Sequence, residues 1–181
     1  MLNSSNSSVA NPLPLGFSCF ALTVLAFSYP QWTGAGLVGT TPTLYFVGGL
    51  GMLIAGFFAF QRRDTLGATW LTAYGVLWPS TGLYLWAFSA TATDMASIVA
   101  WWAVAWGIFT AAIVVLSNRA KRPFATLSLL LFFVMFVFVW LGFAFNVPNA
   151  GKIAGIAGVL TAILAAIEAF QLLSAATTEA A

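Results

Sequence analysis

Apolar residues run along this chain in blocks rather than alternating with polar ones. Six blocks, at 14–32, 42–60, 66–90, 95–117, 123–146 and 151–174, each supply roughly the 20 residues that a helix needs to cross a hydrocarbon core. The joints between them are short and polar: VGTT and its neighbours, QRRDT, TATD, NRAKR and VPNAG. The pattern predicts an all-α membrane protein with six transmembrane helices in one domain, 13–176. Tails at 1–12 and 177–181 flank it, with no linker and no second, soluble domain.

Composition sharpens this picture. Only 6% of the residues are charged and 61% are hydrophobic, whereas a soluble domain carries charge on about a quarter of its residues. Such a chain has too little polar surface to face water, so it faces lipid. No basic segment with a small-residue cleavage site precedes the first block, which therefore reads as a helix and not as a signal peptide. Arg62 and Arg63 lie in one joint, and Arg119, Lys121 and Arg122 in another on the same side. Positive joints stay cytoplasmic, so both termini are expected in the cytoplasm of a plasma or inner membrane. Only Lys152 opposes the pattern. The sequons at Asn3 and Asn6 would then escape glycosylation.

Much chemistry is excluded. The chain has no histidine and a single cysteine, Cys19, inside the first block. No zinc, haem or other cofactor site is expected, and no nucleophile stands with a base partner. The few charges sit at helix ends, which argues against a nucleic-acid partner. An enzyme is not expected; a protein that moves or senses a small solute is.

Several positions could line a path. Thr23 falls in the first helix, Thr69, Thr72, Tyr74, Trp78 and Ser80 in the third, Thr110 in the fourth and Ser128 in the fifth. Each alone reads equally as a helix-to-helix hydrogen bond or an interfacial aromatic. Pro79 removes the hydrogen bond to the Gly75 carbonyl and should kink the third helix, leaving a polar ledge near Tyr74 and Thr72. Glu168 is the one acidic residue inside a block: either a carboxylate snorkelling to the interface or one that lines the pathway. In the last helix Gly151, Gly155, Ala154, Gly158 and Ala162 recur at close-packing spacing, for packing within the bundle or for an oligomer interface.

The stretch NPLPLGF at 11–17 opens the first helix. Pro14 fits a first turn at no cost, because its missing N–H would have had no partner. The N–H groups of Leu15, Gly16 and Phe17 would then face a vestibule, where a helix N-terminus attracts anions. Asn11 can cap the helix or donate to a carboxylate. The stretch is either a rigid helix start or a solute entrance formed by Asn11, Pro12, Pro14, Leu15 and Gly16.

NPLPLGF resembles the NPAPLGL signature of the acetate uptake transporter family, the succinate–acetate permeases. DTLGATWLTAYGVLWPS at 64–80 is similar to that family's GNTFGATAFTSYGAFWLS, and AWGIFT at 105–110 to its LWGVFT. The three fall in the family's order, and the resemblance extends over about residues 9 to 175. It implies a homo-hexamer of six-helix protomers, each with its own pore for acetate and related carboxylates, succinate among them. It also implies a hydrophobic constriction of one Phe, one Tyr and one Leu, which fall at Phe20, Tyr74 and Leu131; a one-residue slip moves the last to Leu130 or Phe132. Thr23, Thr72, Trp78, Ser80, Thr110 and Glu168 are further candidates for the pathway. The chain departs from the family at Pro79, where Leu is usual, at Ala73 in place of Ser, and at Arg63-Asp64 in place of Gly-Asn.

A bare carboxylate faces a penalty of tens of kcal/mol in hydrocarbon, and no cation is available inside the bundle to offset it. Two routes remain, a partly hydrated anion or the neutral acid with its proton, and an apolar constriction favours a small or momentarily neutral solute, so acetate is expected to move with a proton. Two rivals stand beside this reading: a pore for a neutral solute such as urea, ammonia or water, and a membrane sensor or scaffold that transports nothing.

Overall fold

The fold is that of a computed structural model, which describes residues 9–88 and 94–179. The sequons at Asn3 and Asn6, the end of the third apolar block at 89–90 and the last two residues of the C-terminal tail lie outside the described residues. Every regular element among the described residues is helical. Helix α1 spans Leu13–Thr33. Helix α2 runs over Leu37–Gln61; it opens with a 3-10 turn, widens to a π-helix at Leu44–Gly51 and ends as an α-helix over Met52–Gln61. Helix α3 is α-helical over Thr65–Leu83 and continues as a π-helix over Tyr84–Phe88. Then come α4 (Met95–Arg119), α5 (Pro123–Phe145) and α6 (Ala150–Glu179).

Among the described residues, five helices are long and apolar enough to cross a membrane: Leu13–Thr33, Leu37–Gln61, Ala96–Arg119, Pro123–Phe145 and Ala150–Thr178. The third apolar block, expected as a sixth, does not join them. Its helix α3 carries Thr, Gly, Tyr, Trp, Pro and Ser, and it buries Trp70, Leu71, Tyr74, Leu77 and Trp78. A helix enclosed by its neighbours needs little lipid-facing apolar surface.

The two basic joints are built alike. Arg63 and Lys121 adopt positive φ, at 59° and 56°. The following N–H in each case reaches back across the helix end, Asp64 to the Ala59 carbonyl at 3.0 Å and Arg122 to the Ser117 carbonyl at 3.3 Å. This is the left-handed C-terminal turn that closes many helices. Asp64 then caps α3, its Oδ1 accepting from the Gly67 N–H at 2.9 Å. Replacing the family's Gly-Asn by Arg63-Asp64 thus keeps a working cap at this joint.

Helix α1 buries Leu13, Phe17, Phe20, Val24 and Phe27 and turns Leu15, Leu22, Leu25, Tyr29 and Trp32 outward. Small residues bring α6 against it. A side chain at Gly155 would stand 2.8 Å from the Ser28 carbonyl oxygen, and one at Gly158 would run into the Ser28 hydroxyl. Ala154 and Ala162 are buried as well, whereas Gly151 has open space around it. The small-residue stripe of α6 therefore works inside the bundle from 154 to 162. Pro79 does not end α3; its ring lies where a side chain at Gly49 of α2 would be.

Candidate functional site

At the centre of the bundle three helices converge through aromatic rings. Phe20 of α1 and Tyr74 of α3 stack with centroids 5.6 Å apart and planes 12° from parallel. Phe132 of α5 meets both edge-on, at 5.0 Å from Phe20 and 5.4 Å from Tyr74. All three residues have no solvent exposure. Edge-on and stacked pairs at these distances are the preferred geometries of aromatic rings, so the cluster is a closed plug.

Around it lies a second ring of aromatics that the sequence reading did not single out. Trp70 touches Phe20 and Tyr74, while Trp106 and Phe109 of α4 touch Tyr74. A signal for two of them was available: Trp70 precedes Tyr74 by four residues and Trp106 precedes Thr110 by four, which places each pair on one helix face.

The plug has one internal hydrogen-bond chain. The Thr110 hydroxyl donates to the Trp106 carbonyl at 2.7 Å, and the Tyr74 hydroxyl lies 2.8 Å from Thr110 Oγ1. Thr110 has one proton to give, so Tyr74 is the donor to it. The buried phenol is thereby satisfied without any charged partner.

Leu131, the Leu of the expected constriction, is only half-buried and packs off this face. Phe132 occupies the place opposite Phe20 and Tyr74, with Leu129 also buried on the same side. The reason is helix phase. Ser128 ties α5 to α6, its Oγ donating to the Thr161 carbonyl at 3.0 Å, while Thr161 Oγ1 donates to the Ala157 carbonyl at 2.9 Å and lies 3.3 Å from the Ser128 carbonyl oxygen. With Ser128 turned to α6, position 132, four residues on, follows it inward and position 131 rotates away.

The entrance residues divide. Asn11 Oδ1 accepts from the Leu13 N–H at 3.1 Å, and Pro12, Pro14 and Gly16 are buried. The Gly16 N–H is not free for an anion, because it donates to the Pro12 carbonyl at 3.0 Å. A side chain at Gly16 would run into Leu71 of α3, so this glycine brings α1 and α3 together. Leu15 is 48% exposed on the outer face of α1 and does not join the others.

The remaining candidates are not gathered in one place. Thr23 is buried and donates to the Cys19 carbonyl at 2.7 Å. Thr72 donates to the Ala68 carbonyl at 2.7 Å and lies where a side chain at Gly56 of α2 would stand. Gly75 is packed against Leu53, and Ser80 faces a cavity further along α3. Trp78 is fully buried between Phe27 and Phe132, and its indole N–H has no partner among the described residues.

Glu168 is 6% exposed, and the groups that act on its carboxylate, the Ala125 backbone N–H and Arg122, both stand at the start of α5. Ala125 stands in the first turn of α5, where backbone N–H groups lack partners within the helix. A carboxylate of α6 thus lies beside the start of α5.

Beyond the plug, at the end of the bundle that holds the C-terminus of α1, is a cavity of about 310 Å³. Phe27 and Gln31 of α1, Ser80 and Thr81 of α3, Ile98 of α4 and Val139 of α5 are among its walls. Among the described residues no cluster of His, Cys, Asp and Glu could hold a metal ion.

Comparison with known proteins agrees with this architecture. A family model described as the GPR1/FUN34/yaaH family matches residues 1–180. Two proteins of Saccharomyces cerevisiae, Accumulation of dyads protein 2 and Ammonia transport outward protein 2, are each 31% identical over 176 residues, covering 89% of this chain and 60% of their own. The chain thus spans about 60% of the length of these curated relatives. The succinate-acetate/proton symporter SatP of Escherichia coli is 27% identical over 158 residues, covering 86% of this chain and 79% of SatP. The solved structure of the bacterial acetate channel SatP superposes with a TM-score of 0.82 at 22% identity, over 90% of this chain and 91% of that one. The likeness is one of fold, that of an all-helical bundle. On the match along its whole length, the chain belongs to the GPR1/FUN34/yaaH family.

Proposed function

We propose that this chain conducts acetate and related small carboxylates across a membrane, through a path in each protomer that the Phe20, Tyr74 and Phe132 rings close. The observation that carries the reading is the plug itself: three fully buried rings from three helices, beneath a cavity, with no charged side chain among them. Apolar constrictions gate by excluding water, and a carboxylate passes one most easily when its charge is small or shared with a proton. The SatP relatives, named for succinate and acetate and for proton symport, support the same solute class. Proton linkage belongs to the proposal, as do a homo-hexamer, six spans including α3, and cytoplasmic termini, which follow from the basic joints.

Trp78 fits this reading. An indole N–H only donates, so a buried one without a partner is matched by an acceptor solute and by neither a cation nor a hydrocarbon. At the other end of the path, Asn11 with the buried Pro12, Pro14 and Gly16 forms the mouth in this proposal. Glu168 is left out of it.

The test is acetate conductance of the purified chain in vesicles, with and without a pH gradient. Acetate flux that rises with an inward proton gradient is expected; no flux above protein-free vesicles would overturn the reading. A second reading, a pore for ammonia, is favoured by the name of one yeast relative. It predicts ammonia flux that acetate does not inhibit.

A further inference from the structure

The joint between α4 and α5 carries three cations in four residues, Arg119, Lys121 and Arg122. Its backbone is held as a compact turn. The Ala120 and Lys121 N–H groups donate to the Leu116 and Asn118 carbonyls, both at 3.0 Å, and the Arg122 N–H to the Ser117 carbonyl at 3.3 Å. Arg122 is half-buried within electrostatic reach of Glu168, whereas Arg119 and Lys121 are exposed. The chain has four acidic residues. Asp64 caps α3, Glu168 is buried, and Asp94 stands at the far end of α4. That leaves Glu179, at the end of α6, to meet the exposed cations.

Away from the joint the same surface is apolar. Helices α4 and α5 are the least buried of the five apolar spans, at 28% and 33%. Leu116, Val115 and Ile108 continue an exposed face of α4 from Arg119, since residues 108 and 119 are close to three turns apart. At Ile108 this face opens into a groove of about 250 Å³ between α4 and α5, walled by Ala103, Gly107, Phe133, Phe136 and Trp140. A Cβ at Gly107 would lie 3.6 Å from Phe136 and 3.8 Å from Phe133, in ordinary contact, so helix packing does not demand glycine here. Its effect is to deepen the groove. Ile108 lies about 17 Å from Arg119 at 1.5 Å per residue, and half of a hydrocarbon core is roughly 15 Å. The groove is thus one leaflet's depth from the cations.

We propose that this face of α4 and α5 binds an anionic phospholipid, its headgroup on Arg119 and Lys121 and one acyl chain along Leu116 and Ile108, ending in the groove. Anionic headgroups are attracted to basic residues at a membrane surface, and a chain anchored there ends at the depth of the groove. A second copy of this chain would bring a like-charged joint with it, and Glu179 alone to offset it. Phe136, the back wall of the groove, meets Phe132 of the plug at 4.7 Å. The end of the acyl chain therefore lies one ring away from the constriction.

The test is native mass spectrometry of the full chain released from micelles, titrated with dioleoyl phosphatidylglycerol or with dioleoyl phosphatidylcholine. The two lipids share their acyl chains and differ in headgroup charge, and the phosphatidylglycerol should bind more tightly. Arg119→Gln and Lys121→Gln should each weaken its binding about fivefold, the scale of one basic residue near an anionic surface. Equal affinity for the two lipids, or wild-type affinity in both variants, overturns the headgroup site. Gly107→Leu fills the groove and should weaken binding of the dioleoyl lipid, while dihexanoyl phosphatidylglycerol, too short to reach, binds as to wild type. Ile108→Trp, at a position 69% exposed, blocks the groove from outside the bundle and replaces Gly107→Leu if that variant does not fold. Wild-type affinity for the dioleoyl lipid in the folded variant overturns the acyl placement. Crosslinking of Ile108→Cys to a second copy in phosphatidylglycerol bilayers makes this face an interface between copies and overturns the proposal.

Discussion

The hydroxyls of Tyr74 and Thr110 lie 2.8 Å apart at a point where neither residue has any solvent exposure. Thr110 also donates to the Trp106 carbonyl at 2.7 Å, so the chain runs one way, from phenol to threonine to backbone. Removing either end of the Tyr74–Thr110 bond therefore has unequal consequences. Thr110→Val leaves a buried phenol O–H with no acceptor and should cost about 1–3 kcal/mol, whereas Tyr74→Phe leaves Thr110 satisfied and should cost about 1 kcal/mol or less. Unfolding of the two variants in matched micelles measures the difference, and equal losses would refute the direction of the chain.

Phe132→Ala removes the ring that closes the plug against Phe20, Tyr74, Trp78 and Phe136. The expected result is a raised basal acetate conductance together with a stability loss of about 3–5 kcal/mol, the usual range for deleting a buried Phe. Leu131→Ala should change conductance by less than about twofold, under 0.5 kcal/mol in barrier. Single-vesicle flux on both variants decides between the two positions; a larger effect at Leu131 would restore it to the constriction.

Glu168 offers a different contrast. Glu168→Gln keeps a polar acceptor beside the first turn of α5, while Glu168→Leu leaves the backbone N–H groups there with no polar neighbour from α6. The Leu variant should lose about 1–3 kcal/mol of stability, the penalty for an unpaired buried donor, and the Gln variant about 1 kcal/mol or less. Acetate flux per folded Gln variant should match wild type. Loss of flux in the Gln variant at unchanged stability would instead make Glu168 a pathway carboxylate.

The glycines of α6 separate packing from flexibility. Gly155→Ala brings a methyl group to 2.8 Å from the Ser28 carbonyl oxygen, and Gly158→Ala drives one into the Ser28 hydroxyl. Gly151→Ala meets nothing within 4 Å. The first two should destabilise by about 1–3 kcal/mol through overpacking, and the third should be neutral or slightly stabilising, since Ala favours a helix by up to about 1 kcal/mol. Thermal stability of the three variants checks the order.

The sequence by itself determined the membrane setting, the helix boundaries to within a few residues for most elements, and the family. These follow from local quantities: run length, charge content, capping residues such as Asp64, and three motifs in register. The motifs NPLPLGF and TAYG single out Phe20 and Tyr74, which the fold stacks against each other. What faced what was decided only by tertiary structure. Helix α5 is apolar nearly all round, so its sequence carries no phase signal, and the Ser128–Thr161 tie to α6 turns Phe132 inward in place of Leu131. Glu168 reads from the sequence as a snorkelling or a pathway carboxylate because its neighbours, Ala125 and Arg122, belong to the start of another helix. Gly16 and Leu15, adjacent in the chain, were separated by the bundle, one against Leu71 and the other outward. In an apolar chain the burial of each side chain depends on which helices surround it, and that information lies in the packing of the bundle.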